Sequence, residues 1–317
     1  MNVRLPATLL LLCTLFCCGC DLETAVETAL QTAQQAQQGG RSVPVDRSSE
    51  TLRIASFNIQ VFGSSKEKKP HVMRVLADVV RRFDVVAIQE FRSKDQSVID
   101  RFVAQINAPG YDYQSVVGPR LGRTSSKEQY IYLFDASRLE LDPASIYTVA
   151  DPQDLLHREP LVSRFRVRSP SGEAGFSFTL VNIHTDPDET DQELDALADV
   201  FQAVQHNGSG EDDVILLGDL NVDSYHLGEL GRLPGIGCAI VDLKTNTRLS
   251  KTYDNLVFDT RATQEYTGNS GVLNLMQQYD LTEEQALDVS DHLPVWAEFQ
   301  LQEAPSGPVA ARPLQAR

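Results

Sequence analysis

The stretch Val214-Ile215-Leu216-Leu217-Gly218-Asp219-Leu220-Asn221 constrains this chain more than any other. Its apolar run reads as a strand buried on both faces, and Gly followed by Asp-x-Asn ends the strand abruptly with two polar side chains at its carboxyl end. Open α/β folds place their chemistry at such strand ends. Asp219 and Asn221, two residues apart on extended backbone, point the same way, so a carboxylate and an amide can act on one metal-bound water or phosphate oxygen. Taken alone, the pair reads more simply as an Asx turn. Several other strands that end the same way favour the chemical reading.

Those strands are spelled out by β-branched and apolar runs at residues 52–59, 84–90, 111–117, 129–135, 161–167, 176–184, 252–258 and 295–301. Helical spacing is found at 70–83, 96–106 and 189–206. Two sets of strands with helices between them predict a sheet-on-sheet core flanked by helices, with the polar strand ends meeting at one rim.

The flanks differ in texture. Residues 1–19 carry one early positive charge and an apolar core from Leu5 to Phe16, too short to span a bilayer comfortably, and read as a signal peptide. The junction Cys17-Cys18-Gly19-Cys20 resembles a bacterial lipobox, which implies cleavage before Cys20 and acylation of Cys20. The expectation is an exported lipoprotein anchored in the bacterial cell envelope, with release as a secreted protein the alternative. Residues 20–50 read as a tether, 51–301 as one domain, and 302–317 as a disordered tail. Beyond Cys20 the only cysteine is Cys238, so an internal disulfide is excluded and stability must come from a core. The net charge of −16 repels polyanions unless the binding face is locally basic or metals neutralise it.

Ten side chains sit at strand ends or in adjoining loops: Asn58, Glu90, Glu128, Arg158, His184, Asp219, Asn221, Asp254, Asp291 and His292. Each has an ordinary explanation singly, as a turn residue, a surface charge or a satisfied histidine. Together, two histidines with several carboxylates and no cysteine favour an oxygen-ligated Mg²⁺ or Mn²⁺ site over zinc, and suit phosphodiester hydrolysis.

Eight motifs run in order from residue 52 to 299: Ile54-Ala55-Ser56-Phe57-Asn58-Ile59, Ile88-Gln89-Glu90, Leu121-Gly122-Arg123 with Lys127-Glu128-Gln129-Tyr130, Arg158-Glu159-Pro160, Val181-Asn182-Ile183-His184, Gly218-Asp219-Leu220-Asn221, Tyr253-Asp254-Asn255 and Ser290-Asp291-His292. In this the chain resembles the endonuclease/exonuclease/phosphatase superfamily. The Leu-Gly-Arg with Lys-Glu-x-Tyr segment is similar to its deoxyribonuclease I branch. The resemblance implies a four-layer α/β sandwich, two packed mostly antiparallel sheets flanked by helices, and a Mg²⁺-dependent DNA endonuclease acting on duplex DNA.

Carried over by position, it implies Glu90 as the main metal ligand with Asn58 and Asp291 nearby. His184 and His292 would be an acid/base pair oriented by Glu128 and Asp254, and Asp219 and Asn221 would position phosphate, water or a second metal. Arg158 would grip phosphate, and Arg92 and Arg123 would contact DNA. A Ca²⁺ loop is implied at Asp151, Asp154 and Glu159, and a second calcium site is echoed by Asp242, Thr245 and Thr247. Gln60, Ser126 and Asn255 depart from the arginine, tyrosine and arginine of the animal enzymes, which thins the DNA-contacting surface. Two other functions remain: a phosphodiesterase for lipid or small phosphoesters, and a catalytically idle binding module. No protein partner is inferred.

Overall fold

The computed structural model describes residues 47–123, 125–169 and 174–304; the expected signal peptide, Cys20 and most of the expected tether and tail lie outside the described residues. The elements are β1 (Thr51–Phe62), α1 (Ser64–Glu67), α2 (Pro70–Arg81), β2 (Val85–Phe91), α3 (Ser97–Asn107), β3 (Tyr113–Val117), β4 (Gln129–Asp135), β5 (Leu139–Thr148), β6 (Leu161–Val167), β7 (Ser177–His184), α4 (Thr190–Gln205), β8 (Val214–Asp219), β9 (Ile236–Cys238), β10 (Asp254–Asp259), β11 (Tyr266–Val272), α5 (Leu275–Tyr279), α6 (Glu283–Val289) and β12 (Val295–Gln300).

They form two six-stranded sheets, ordered β11-β12-β1-β2-β4-β3 and β5-β6-β7-β8-β10-β9. Pairing is antiparallel except for β1 with β2 and β7 with β8. A parallel pair needs a crossover, and in both cases it contains an amphipathic helix. Pro70 opens α2 at a position where its missing N–H costs nothing. The face of α2 that carries Val72, Leu76 and Val79 packs on the first sheet; Leu194, Leu197, Phe201 and Val204 of α4 pack on the second.

Three apolar layers result, one under each set of helices and one between the sheets, where Phe165, Phe178, Leu217 and Phe299 meet. This is the expected four-layer sandwich. Each such side chain removed from water contributes about 1.5–3 kcal/mol, set against the entropy of ordering it.

The middle layer is not wholly apolar. Gln89 Nε2 donates to Asn182 Oδ1 at 2.7 Å and to Ser56 Oγ at 3.0 Å, while Asn182 Nδ2 donates to the Ile88 carbonyl at 3.2 Å. The two bonds of Asn182 cross from one sheet to the other and fix their mutual register, since a slip would strand buried amides.

Three strands escape the sequence reading, β5, β9 and β11, as do the short helices α1, α5 and α6. The ordered domain also extends past both expected boundaries. Arg47, assigned to the tether, pairs with Asp84 at 2.9 Å and Asp135 at 2.6 Å. Gln302, assigned to the disordered tail, bridges to Gly175, and the Glu303 N–H donates to the Ala174 carbonyl at 3.1 Å.

Candidate active site

On the face between the sheets, each central strand turns from apolar to polar as it nears one rim. β1 runs Leu52, Ile54, Ser56, Asn58; β7 runs Phe178, Leu180, Asn182, His184; β8 runs Ile215, Leu217, Asp219. β10, antiparallel to β8, begins at the rim with Asp254 and continues inward through Leu256. The site residues are thus the last positions of the same period-two stripe that builds the core. Register does the rest: Asp219 is the paired residue of His184 on one side and of Asp254 on the other.

Gly218 makes that pairing feasible, because a Cβ there would fall 1.8 Å from the Ile183 carbonyl oxygen. On the other sheet, β1 and β2 both lose regular register at the rim, between Asn58 and Phe62 and between Ile88 and Phe91. Gln60, Val61 and Glu90 have φ of 43°, 51° and 64°. Strict alternation would send Glu90 to the helix side with Ile88; the bulge turns it inward. There its Oε1 accepts from Asn58 Nδ2 at 3.2 Å and its Oε2 from the Val61 N–H at 2.9 Å. Left-handed backbone at non-glycine residues costs of order 1–3 kcal/mol each and collects where a surrounding site holds it.

The two histidines are built alike. His184 Nδ1 lies 2.8 Å from Glu128 Oε1, and His292 Nδ1 lies 2.9 Å from Asp254 Oδ2. Each carboxylate fixes the Nδ1–H tautomer and turns Nε2 outward. Both Nε2 atoms face one oxygen, Asp219 Oδ2, at 3.4 and 3.5 Å, and Asn58 Nδ2 donates to the same oxygen at 3.1 Å. Burial disfavours charge on both imidazoles, yet Glu128 raises the pKa of His184, and Asp254 with Asp219 pushes His292 up to about 10. Burial and Asp219 also push the Asp254 carboxyl up. The imidazole is the stronger base of that pair, so the proton sits on His292. Glu128 is held below the usual carboxylate range, with His184 and Arg158 outweighing its burial.

The supporting residues explain why these side chains stay put. Thr245 Oγ1 donates to Asp254 Oδ2 at 2.7 Å, and Thr247 Oγ1 donates to the Ser290 carbonyl at 2.7 Å. Both threonines therefore brace the catalytic turn, while the Asp242 carboxylate accepts from the Tyr225 hydroxyl. Lys66, unremarked in the sequence, donates to the carbonyls of Ile59, Gln60 and Val289 at 2.7, 2.5 and 2.7 Å. It pins the bulge of β1 to the end of α6. Burial lowers its pKa to about 8 against the opposing charges of Asp291 and Glu90.

The arginines depart from expectation. Arg158 is 7% exposed; its Nε and Nη2 donate to the His184 carbonyl at 3.0 and 2.8 Å, and Nε also pairs with Glu128 at 3.2 Å. It braces the His184–Glu128 pair instead of presenting an open phosphate grip. Arg92 spans Glu90 at 3.0 Å and Glu128 at 3.6 Å. Arg123 pairs with Asp154 and Glu189, and it donates to the Asp154 carbonyl as well, so a guanidinium occupies the loop expected to hold Ca²⁺. Asp151 is turned to the Leu156 N–H, and among the described residues Asp151, Asp154 and Glu159 do not form a three-carboxylate group.

The donor chemistry expected of the cation site fits. Asp291 Oδ1 is buried without a hydrogen-bond partner, Asn58 Nδ2 donates to Glu90 Oε1 at 3.2 Å, and the charges of Asp291 and Glu90 both act on Lys66. Two carboxylates and a carboxamide are the hard oxygen donors that Mg²⁺ or Mn²⁺ prefers.

A rim of carboxylate-backed histidines between two sheets, each holding one parallel crossover, defines a class. The chain belongs to the Endonuclease/Exonuclease/phosphatase family, whose model matches residues 55–271. Deoxyribonuclease-1-like 1 of Sus scrofa is 34% identical over 265 residues, covering 79% of this chain and 82% of that protein. Deoxyribonuclease gamma of Homo sapiens is 31% identical over 274 residues, covering 80% and 87%. D. rerio TDP2 complexed with single strand DNA product shares the fold, with a TM-score of 0.54 and 17% identity over 79% of this chain and 99% of that one.

Proposed function

We propose that this chain is a metal-dependent phosphodiesterase working as a DNA endonuclease, which hydrolyses duplex DNA to 5′-phosphate ends. The observation that carries the reading is the convergence of two carboxylate-backed histidines on Asp219 Oδ2. The deoxyribonuclease relatives support DNA as the polymer.

A phosphodiester seated at the rim meets two imidazole Nε2 atoms. One takes a proton from an attacking water; the other gives a proton to the departing 3′ oxygen. The P–O3′ bond breaks as the new P–O bond forms, and the phosphate stays on the 5′ side. A positioned acid/base of this kind is worth roughly 10²–10⁴-fold. Glu128 and Asp254 stabilise the imidazolium form in turn, and Asn58 Nδ2 donates to both Glu90 and Asp219, linking the carboxylates of the two sheets. Glu90, Asp291 and Asn58 would hold Mg²⁺, or Mn²⁺ in its place, which would neutralise charge developing on the phosphoryl oxygens.

A second reading, hydrolysis of lipid or small phosphoesters, is favoured by the net charge of −16 and by the Gly19-Cys20 junction. Plasmid nicking with Mg²⁺, with and without EDTA, beside sphingomyelin and inositol phosphate hydrolysis separates the two. Nicking that EDTA abolishes and Mg²⁺ restores supports the nuclease; turnover of sphingomyelin or inositol phosphate with an intact plasmid overturns it.

Cys20 lies outside the described residues. We propose that it is the acylated first residue of an envelope lipoprotein, because Gly19-Cys20 follows an apolar run. Mass spectrometry of the mature N-terminus should find an acyl mass on Cys20, and an unacylated N-terminus elsewhere would return the protein to the secreted class.

A further inference from the structure

At the pole opposite the catalytic rim, where β8 begins and β12 ends, a second group of carboxylates gathers that the proposed chemistry does not use. Asp213, Glu265 and Glu303 each bring an oxygen within 4.8 Å of the others, and Glu211, Asp212 and Asp213 do the same. Asp213 and Glu265 are each 2% exposed. Part of their hydrogen bonding is satisfied: Glu265 Oε1 accepts from the Ala304 N–H at 2.6 Å, Glu303 Oε2 from the Ser177 N–H at 3.0 Å, and Glu211 Oε1 from the Asp213 N–H at 3.0 Å. Asp213 Oδ1 and Glu265 Oε2 are left buried without a hydrogen-bond partner.

We propose that Asp213, Glu265 and Glu303, joined by Glu211, bind a structural divalent cation, with Ca²⁺ preferred over Mg²⁺. Orphaned carboxylate oxygens in a buried anionic cluster want a cation, and the Thr263 hydroxyl beside Asp213 eases that charge without neutralising it. Arg166 offsets part of the charge of the half-exposed member, Glu303. The donors are all oxygen, come from three separate segments and mix buried with half-exposed carboxylates, an irregular shell that Ca²⁺ accepts and octahedral Mg²⁺ does not. A cleft of about 380 Å³ lined by Glu50, Glu265, Gln302 and Glu303 opens beside them. The ion would tie β8 of one sheet to the flanks of β11 and β12 of the other, clamping the end of the sandwich that the catalytic residues do not hold. The alternative occupant is a proton on Asp213, whose pKa burial and Glu265 push up to about 8.

The test is thermal melting of the full chain, stripped with EDTA and then given millimolar CaCl₂ or MgCl₂. Binding well above Kd should raise the wild-type Tm by roughly 5–10 °C with Ca²⁺, and by clearly less with Mg²⁺. The Ca²⁺ shift should persist in Glu90→Gln with Asp291→Asn, which disables the catalytic cation site. It should vanish in Asp213→Asn with Glu265→Gln, and shrink in the surface variant Glu303→Gln should that pair fail to fold; all retain Mg²⁺-dependent nicking where Glu90 and Asp291 are intact. An unmoved wild-type Tm, with Asp213→Asn alone raising stability in EDTA, would assign the cluster to a shared proton and overturn the proposal. A Ca²⁺ shift untouched by the cluster variants would overturn it equally, and a Mg²⁺ shift as large would overturn the choice of ion.

Discussion

The Ser290 hydroxyl donates to the main-chain carbonyl of Asn58 at 2.7 Å, joining residues 232 positions apart. The same hydroxyl accepts from the His292 N–H at 3.0 Å, so it holds the turn carrying Asp291 and His292 against β1. Ser290→Ala leaves a buried carbonyl and N–H unpaired and should cost about 1–3 kcal/mol in urea unfolding. Turnover should fall while KM on DNA stays within about twofold, because the reacting groups move and the outer surface does not.

His184→Ala and His292→Ala should each lower kcat by roughly 10²-fold or more with the fold intact by circular dichroism. Glu128→Gln and Asp254→Asn keep the shape of each pair and remove the charge that favours imidazolium, so each should lose less than its histidine variant. Combining Glu128→Gln with His184→Ala should add almost nothing further, since the two act as a unit. Near-normal turnover in either histidine variant would remove it from the acid/base pair.

Stability should fall on the alkaline side. His292 titrates near 6.5 when unfolded and at about 10 in the fold, so the folded state binds the extra proton between those values. Its contribution is complete below about 6.5 and is lost as pH rises through about 10. Urea unfolding in EDTA at rising pH should show this slope in the wild type and a flatter one in His292→Gln.

Ser126, whose hydroxyl accepts from Arg92 at 3.3 Å, stands where the resemblance to deoxyribonuclease I implies a tyrosine on a DNA-contacting surface. A base contact to an aromatic side chain is worth about 1–3 kcal/mol. Ser126→Tyr should therefore lower KM on duplex DNA roughly tenfold with little change in kcat. An unchanged KM at both low and high salt would take this loop off the DNA path.

Gly218→Ala should be among the most damaging small substitutions, because the added methyl must displace the Ile183 carbonyl and part β7 from β8. A cost of about 3 kcal/mol or more is expected, the upper end of overpacking, together with loss of turnover as Asp219 leaves His184. Chemical denaturation beside a nicking assay reads both.

The central strands and the site were legible in the sequence for one shared reason. Inward-facing positions alternate, so the stripe that reads Leu180, Asn182, His184 or Leu217, Asp219 announces core and chemistry together. The missed strands β5, β9 and β11 include three of the four sheet edges. Edges carry no two-sided burial, and β5 holds Pro143 and buries only Leu139 fully, while β11 holds two glycines. Lys66 was invisible because Ser-Ser-Lys-Glu-Lys-Lys looks like a solvated basic run; only the bulge beside it reveals three carbonyls to be held. Arg158 is only half legible for a related reason: sequence tells that an arginine is near a phosphate-handling rim, but not whether its donors face outward or back onto the His184 carbonyl. The carboxylates at 213, 265 and 303 share no local motif at all and meet only through topology.

β1 runs from Arg47's neighbourhood at one pole to Asn58 at the other, a distance of about 23 Å between Thr51 and Asn58 for extended chain. The described chain therefore enters the domain at residue 47, at the pole away from the catalytic rim. The backbone that leads into β1 does not cross the mouth of the site, so a long polymer can lie across that rim without meeting it.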